Sequence, residues 1–183
     1  MLQGIPLPGK TKPTAREVYR SSIGEKVDWF LPERTREKGK DQPGVLVCPR
    51  CHAISLKKRW FLDEDRYQRL RSSPGVHLVI CPGCRRIERQ EYDGEITLRS
   101  PLLLSNKPQA MAMIRHEEDK ARQTNPFSRL ASVVDRGSEL YILTTTTWLA
   151  ERIGKTFQKA FKGSLEIQRL PGEKFVRVHW NRQ

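Results

Sequence analysis

The residue types best suited to chemistry in this chain are its four cysteines, which form two matched hooks, Cys48-Pro-Arg-Cys51 and Cys81-Pro-Gly-Cys84. A Cys-x-x-Cys turn can point both sulfurs at one ion, and two such turns supply the four thiolates of a closed tetrahedral zinc site, with metal–sulfur bonds of about 2.3 Å. Four protein ligands leave no open position for substrate, so the spacing predicts one structural Zn²⁺ on Cys48, Cys51, Cys81 and Cys84 rather than a catalytic metal. The stretch 52–80 between the hooks exceeds the roughly 15 to 20 residues of the commonest pattern, which predicts an insertion between the two hairpins of a zinc ribbon. Three other chemistries use the same residues. Disulfides belong to exported chains, and Met1-Leu2-Gln3-Gly4-Ile5-Pro6 lacks the basic-then-apolar order of a signal peptide, so a reducing, cytoplasmic setting is expected. A redox Cys-x-x-Cys opens a helix, whereas basic, strand-like sequence follows both hooks. Cys48-Pro-Arg-Cys51-His52 has the spacing of a haem attachment site, but the second hook has no histidine.

Catalytic constellations are otherwise missing from the sequence. His52 follows a ligand directly, His77 and His179 sit in strand patterns and His116 lies in a helix beside acids, an unpromising set for metal binding. The run Thr144–Thr147 reads as a strand feeding a helix N-cap. The expectation is a non-enzymatic protein.

The elements that must position the hooks follow from periodicity and turn chemistry. Residues 1–44 combine five prolines with scattered charge and predict an extended basic arm, with a short helix over Ala15–Ser22 and an apolar anchor at Trp29-Phe30. A zinc-ribbon segment is expected over 45–104. Val45–Val47 leads into the first hook, Ser55–Leu62 reads as a strand leaving it, and Asp63–Leu70 as a short helix or ordered loop. Val76–Ile80 leads into the second hook, and Arg85–Tyr92 with Glu95–Leu98 reads as a hairpin across Asp93-Gly94. Residues 105–183 predict a small α/β module of order α-α-β-α-β-β: helices over Pro108–Gln123 and Phe127–Asp135, a strand over Glu139–Thr145, a helix over Trp148–Lys162, and a hairpin of Ser164–Leu170 with Lys174–Trp180 across Pro171-Gly172. The fold class expected is α+β.

Charge points to the partner. The chain has 34 Lys and Arg against 21 Asp and Glu, a formal +13, and carries a mean hydropathy of −0.65. The excess is +3 in residues 1–44, +4 in 45–104 and +6 in 105–183, so it is spread over the expected folded parts and favours a surface for a polyanion. No apolar run approaches the roughly 20 residues needed to span a bilayer, and a soluble chain is expected. On the 148–162 helix, Leu149, Ile153, Phe157 and Ala160 form an apolar face, opposed by Arg152, Lys155, Lys159 and Lys162 with Trp148 at the end of that row. Cations with a terminal aromatic suit a phosphate backbone and one stacked base. Lys57, Lys58 and Arg59 follow the first hook, and Arg85, Arg86 and Arg89 the second, so a shared ion is expected to merge them into one RNA-binding patch. Trp60, beside the first cluster, reads best as an aromatic plug under the metal.

The two hooks, then Tyr92-Asp93-Gly94, then Leu140-Tyr141-Ile142-Leu143-Thr144-Thr145 followed by Leu149-Ala150 and Ile153-Gly154, resemble the zinc-ribbon region and succeeding α/β segment of the nonsense-mediated-decay protein three family. That family is the archaeal and eukaryotic adaptor of the large ribosomal subunit, and small bacterial proteins look like a cut-down version of it. The resemblance covers roughly residues 45–180. It implies contact with ribosomal RNA of the large subunit, in assembly, dormancy or quality control. Many members have two further Cys-x-x-Cys hooks that this sequence lacks, and the later segment that recruits an export receptor has no counterpart here, so export is not implied. An adaptor of another class, meeting a protein partner through Trp29, Phe30 and the ribbon edge in transcription or stress response, is the alternative expectation.

Overall fold

The computed structural model describes residues 44–169, 172 and 174–183. Apart from Gly44, the expected arm 1–44, with its helix and Trp29-Phe30 anchor, lies outside the described residues, as does Pro171 of the last turn. Among the described residues the chain is mixed α+β, with two sheets and five helices.

The first sheet has strands of three or four residues: β1 (Val45–Val47), β2 (Ala53–Leu56), β3 (Arg59–Leu62) and β4 (Val76–Leu78), in the order β3-β2-β1-β4. β1 pairs antiparallel with β2 and parallel with β4. The expected single strand over Ser55–Leu62 is instead a hairpin. The chain reverses at Lys57-Lys58, both with positive φ (48° and 67°), so that Leu56 faces Arg59. Helix α1 (Glu64–Leu70) starts where Asp63 accepts the Arg66 N–H at 2.9 Å, and its Tyr67 buries against Val47 and Ile54.

After the second hook the expected strand over Arg85–Tyr92 is a helix, α2 (Pro82–Glu88). Cys81 acts as N-cap, accepting from the Cys84 N–H, and Pro82 occupies the first turn, where its missing N–H costs nothing. The Asp93-Gly94 pair therefore makes no hairpin turn. Gly94 begins β5 (Gly94–Arg99), which pairs antiparallel with β7 (Glu139–Thr144) and parallel with β9 (Val176–Asn181). The glycine is there for closeness: a Cβ would collide with the Thr144 hydroxyl and come within 2.6 Å of the Ala150 Cβ.

β5 is thus the central strand of the second sheet, order β6-β7-β5-β9-β8, although its residues fall in the segment 45–104 expected to be ribbon. α3 (Leu102–Ser105) and α4 (Lys107–Thr124) lead to β6 (Leu130–Asp135), where a helix over Phe127–Asp135 was expected. Asn125-Pro126 stops α4, and Leu-Ala-Ser-Val-Val pairs with β7, because β-branched residues fit a half-buried pleat better than a helix. α5 (Thr147–Phe161) is capped by Thr146, and β8 (Ser164–Arg169) closes the edge against β9. From β5 onward the order is β-α-α-β-β-α-β-β.

One face of this sheet carries the main core. Ile96 and Leu98 of β5, Leu140 and Ile142 of β7, and Val176, Val178 and Trp180 of β9 meet Ile114 and Ala121 of α4 and Leu149, Ile153 and Phe157 of α5. Phe157 sits edge-on to Trp180 at 5.6 Å, and the indole N–H donates to the Lys162 carbonyl at 2.7 Å, closing the end of α5. Ala160 is exposed, and Phe161, one turn after Phe157, takes the inward place expected for it. No helix of the described residues is long and apolar enough to cross a membrane.

Candidate metal centre

The two hooks are built differently and delivered to the same place by β1 and β4. Their parallel pairing, with Val47 opposite Leu78 and the Val79 N–H donating to the Val47 carbonyl at 2.9 Å, brings Cys48 and Cys81 out at the same end of the sheet. The first hook is a turn: His52 N–H donates to the Cys48 carbonyl, Cys48 N–H donates to Ala53, and His52 takes a φ of 62° to return the chain into β2. The second hook is the first turn of α2, not a hairpin. Helix-opening geometry removes the sequence argument against a redox pair there. Burial and convergence speak for a metal instead: all four cysteines are buried thiols, whereas a reactive pair needs access.

The four Sγ atoms lie within 4.8 Å of one another, with Cys48–Cys84 at 3.8 Å and Cys51–Cys81 at 3.4 Å. Bonds of about 2.3 Å to one tetrahedral ion imply sulfur–sulfur edges of about 3.8 Å, so this spacing would fit a single metal ion. The cluster is prepared for negative sulfur. Backbone N–H groups of Cys81 and Cys84 donate to Cys48 and Cys81 sulfurs, each at 3.4 Å. Sharing of protons splits the group: hydrogen bonding from Cys51, Cys81 and Cys84 draws Cys48 far below the thiol range. At Cys51 the bond to Cys48 raises the pKa, but those to Cys81 and Cys84 outweigh it and leave it lowered to about 6. Cys81 and Cys84 are pushed up, first by their bonds to Cys48.

Around the sulfurs stands a shell of cations and apolar groups. Arg129 Nη1 donates to Cys84 Sγ at 3.6 Å and its Nε to Glu118 at 3.4 Å; burial disfavours its charge, but the sulfurs of Cys84 and Cys51 and the Glu118 carboxylate more than offset that. Arg122 Nη2 reaches the Cys51 carbonyl at 3.5 Å, and Arg50 ties the first hook to Glu88 of α2 at 2.6 Å. Trp60 and Leu62 pack on the cysteines, as expected of an aromatic plug. His52 faces away, bonded to Glu64 at 2.8 Å and stacked on Tyr67 at 4.0 Å.

No hydrogen bond or ion pair among the described residues links the two basic clusters expected to merge. β2 runs away from the first hook, so Lys57, Lys58 and Arg59 sit at its far end, about 13 Å of strand from the cysteines. Arg86 is committed to Asp93 through both Nη atoms, Arg85 reaches the Ile80 carbonyl at 3.5 Å, and Arg89 lies 3.9 Å from Glu91. Of the row expected on α5, Trp148 is 46% exposed and Lys155 and Lys159 are exposed, while Lys162, also exposed, lies one residue past the helix end with a φ of 59°. Lys155 pairs with Glu151 at 3.2 Å. Arg152 differs from the rest: it is half-buried, paired with Glu117 at 2.6 Å and stacked over Trp148 at 4.9 Å.

Sequence reasoning did not single out Arg129, Glu117 or Glu118. Of the run Glu117-Glu118-Asp119, only Asp119 is exposed; Glu117 is buried and Glu118 half-buried. The signal was available: Ala110, Ile114, Glu117 and Ala121 share one helix face, and a carboxylate at an inward position demands a cation. Arg129 had no such signal, because it stands just before β6 in a stretch read as helix. Compared with protein-family models, with curated proteins and with solved structures, the chain finds no match in any of the three.

Proposed function

We propose that the four thiolates hold one Zn²⁺ as a structural cross-link and that the chain is a non-enzymatic RNA-binding protein, with ribosomal RNA of the large subunit as its partner. Zinc is the divalent ion that four soft sulfurs in a closed tetrahedron suit, since it needs no open position and no redox change. Supplying only a fixed geometry, it would lock the turn of the first hook to α2. Iron in the same sulfur set is the competitor, and elemental analysis of freshly purified protein separates the two.

The RNA reading rests chiefly on one observation: the exposed face of α5 carries Lys155 and Lys159 with Trp148 at its start and Lys162 just past its end, in a chain of formal charge +13. Lys159 and Lys162 make no ion pair with any described residue, so their charge is free for phosphate. The large subunit as the source of that RNA rests on the resemblance of the hooks and of the 140–154 stretch. Co-sedimentation with large subunits, weakening steeply as salt rises, is the expected result. Protein found only at the top of the gradient at low salt would remove the ribosomal reading. Charge reversal at Arg152, Lys155 and Lys159 should abolish binding; unchanged binding would favour a protein–protein adaptor.

A further inference from the structure

The side chains at the start of α5 form a unit that neither charge nor the metal requires. Trp148 is large, aromatic and 46% exposed, one of only three exposed large hydrophobics among the described residues. Arg152, one turn on, lies over its ring at 4.9 Å. The guanidinium is held from a second side by Glu117 of α4, whose carboxylate accepts from Nε at 2.6 Å and whose side chain is 7% exposed. Stacked on one face and hydrogen-bonded through Nε, the guanidinium leaves Nη1 and Nη2 without a hydrogen bond to any described residue. Lys155 stands three residues further along the same side.

We infer that Trp148, Arg152 and Glu117 form a nucleotide clamp for single-stranded RNA, with a base stacking on Trp148 and its phosphate taken by the Nη atoms of Arg152. The clamp rests on the RNA-binding reading above and adds to it the class of RNA. A duplex hides its base faces and offers only phosphate and sugar, whereas an unpaired nucleotide offers both groups the unit is shaped for. Burying Glu117 against Arg152 is poor design for a mere electrostatic attractor, since the carboxylate cancels the charge that would attract phosphate. It is good design for a fixed fork, because a guanidinium held in place loses less freedom on binding. Glu117 is therefore a positioning residue, and its removal has a sign that separates the two roles.

The test is fluorescence anisotropy of the zinc-loaded full chain with a labelled uridine decamer and a labelled RNA duplex of ten base pairs. Trp148→Ala should weaken decamer binding about tenfold and duplex binding less than twofold, with the salt slope unchanged, because stacking releases no counterions. Trp148→Phe, which keeps a ring, should stay within about threefold of the parent on the decamer. Glu117→Gln raises the net charge by one, so a simple attractor would bind more tightly; the clamp predicts binding about threefold weaker. Thermal unfolding of each variant separates loss of the fork from loss of the fold. Equal losses on decamer and duplex, no loss for Trp148→Ala, or tighter binding by Glu117→Gln would overturn the clamp while leaving RNA binding in place. An unmodified chain that binds neither RNA at low salt would overturn both.

Discussion

The two sheets of this protein are held by different forces. The four-stranded sheet has strands of three or four residues, and its apolar cluster is small: Val47, Ile54 and Tyr67, with Trp60 and Leu62 on the cysteines. The five-stranded sheet has strands of six residues and buries fifteen hydrophobic residues in one cluster with its helices. Backbone strain divides the same way. Of the five non-glycine residues with positive φ among the described residues, His52, Lys57, Lys58 and Gln90 precede β5, and only Lys162 follows it. Each such residue costs about 1–2 kcal/mol, which a core of this size does not readily offset. What the contrast teaches is that burial contributes far more to the second sheet than to the first, where the proposed metal cross-link would supply the difference.

The widest separation between the halves should come from removing the metal. Chelation, or Cys81→Ser, withdraws binding energy of about 10 kcal/mol or more, which structural zinc sites convert into folding energy. Hydrogen exchange should then show loss of protection at Val47, Cys48, Ala53 and Val79 while β5, β7 and β9 stay protected. Protection lost together in both sheets would mean the difference between them is not real.

The converse variant is Phe157→Ala, in the second core, where the side chain is 1% exposed. A loss of about 3–5 kcal/mol is expected, read as a lower unfolding midpoint, with the metal content of the folded protein unchanged. Arg129 crosses between the halves, linking Cys84 to Glu118. Arg129→Ala should lower metal affinity about 10- to 100-fold, by analogy with other groups that support metal ligands, and should cost stability through the Glu118 carboxylate it leaves behind. Competition with a chromophoric chelator measures the first effect and thermal unfolding the second. The smallest effect is expected at the hairpin tip, where Lys57→Asn with Lys58→Gly supplies residues that accept positive φ; the metal-loaded first sheet should gain about 1 kcal/mol.

The cysteine cluster was legible because a Cys-x-x-Cys hook is a local feature and two of them suffice to suggest one ion. So was α5, whose apolar face and caps lie within seventeen residues, Thr146 to Lys162. What was not legible depended on distant neighbours. The glycine of Asp93-Gly94 looked like a turn residue, but it serves the approach of Thr144 and Ala150, fifty or more residues away. The sequence after Cys84 read as strand because its arginines say little about period, whereas Cys81 as N-cap and Pro82 decided for helix. The place of the first basic cluster was hidden for the same reason: adjacency to a hook in sequence does not fix which end of a strand a residue occupies, and Lys57-Lys58 went to the far end.

X-ray absorption at the zinc edge, with elemental analysis and thiol titration on the same freshly purified sample, tests the metal cross-link most directly. One zinc per chain, four sulfur neighbours at about 2.3 Å, and thiols that react only after chelation are predicted. A metal-free protein whose first sheet remains protected, with all four thiols titrating freely, would contradict it.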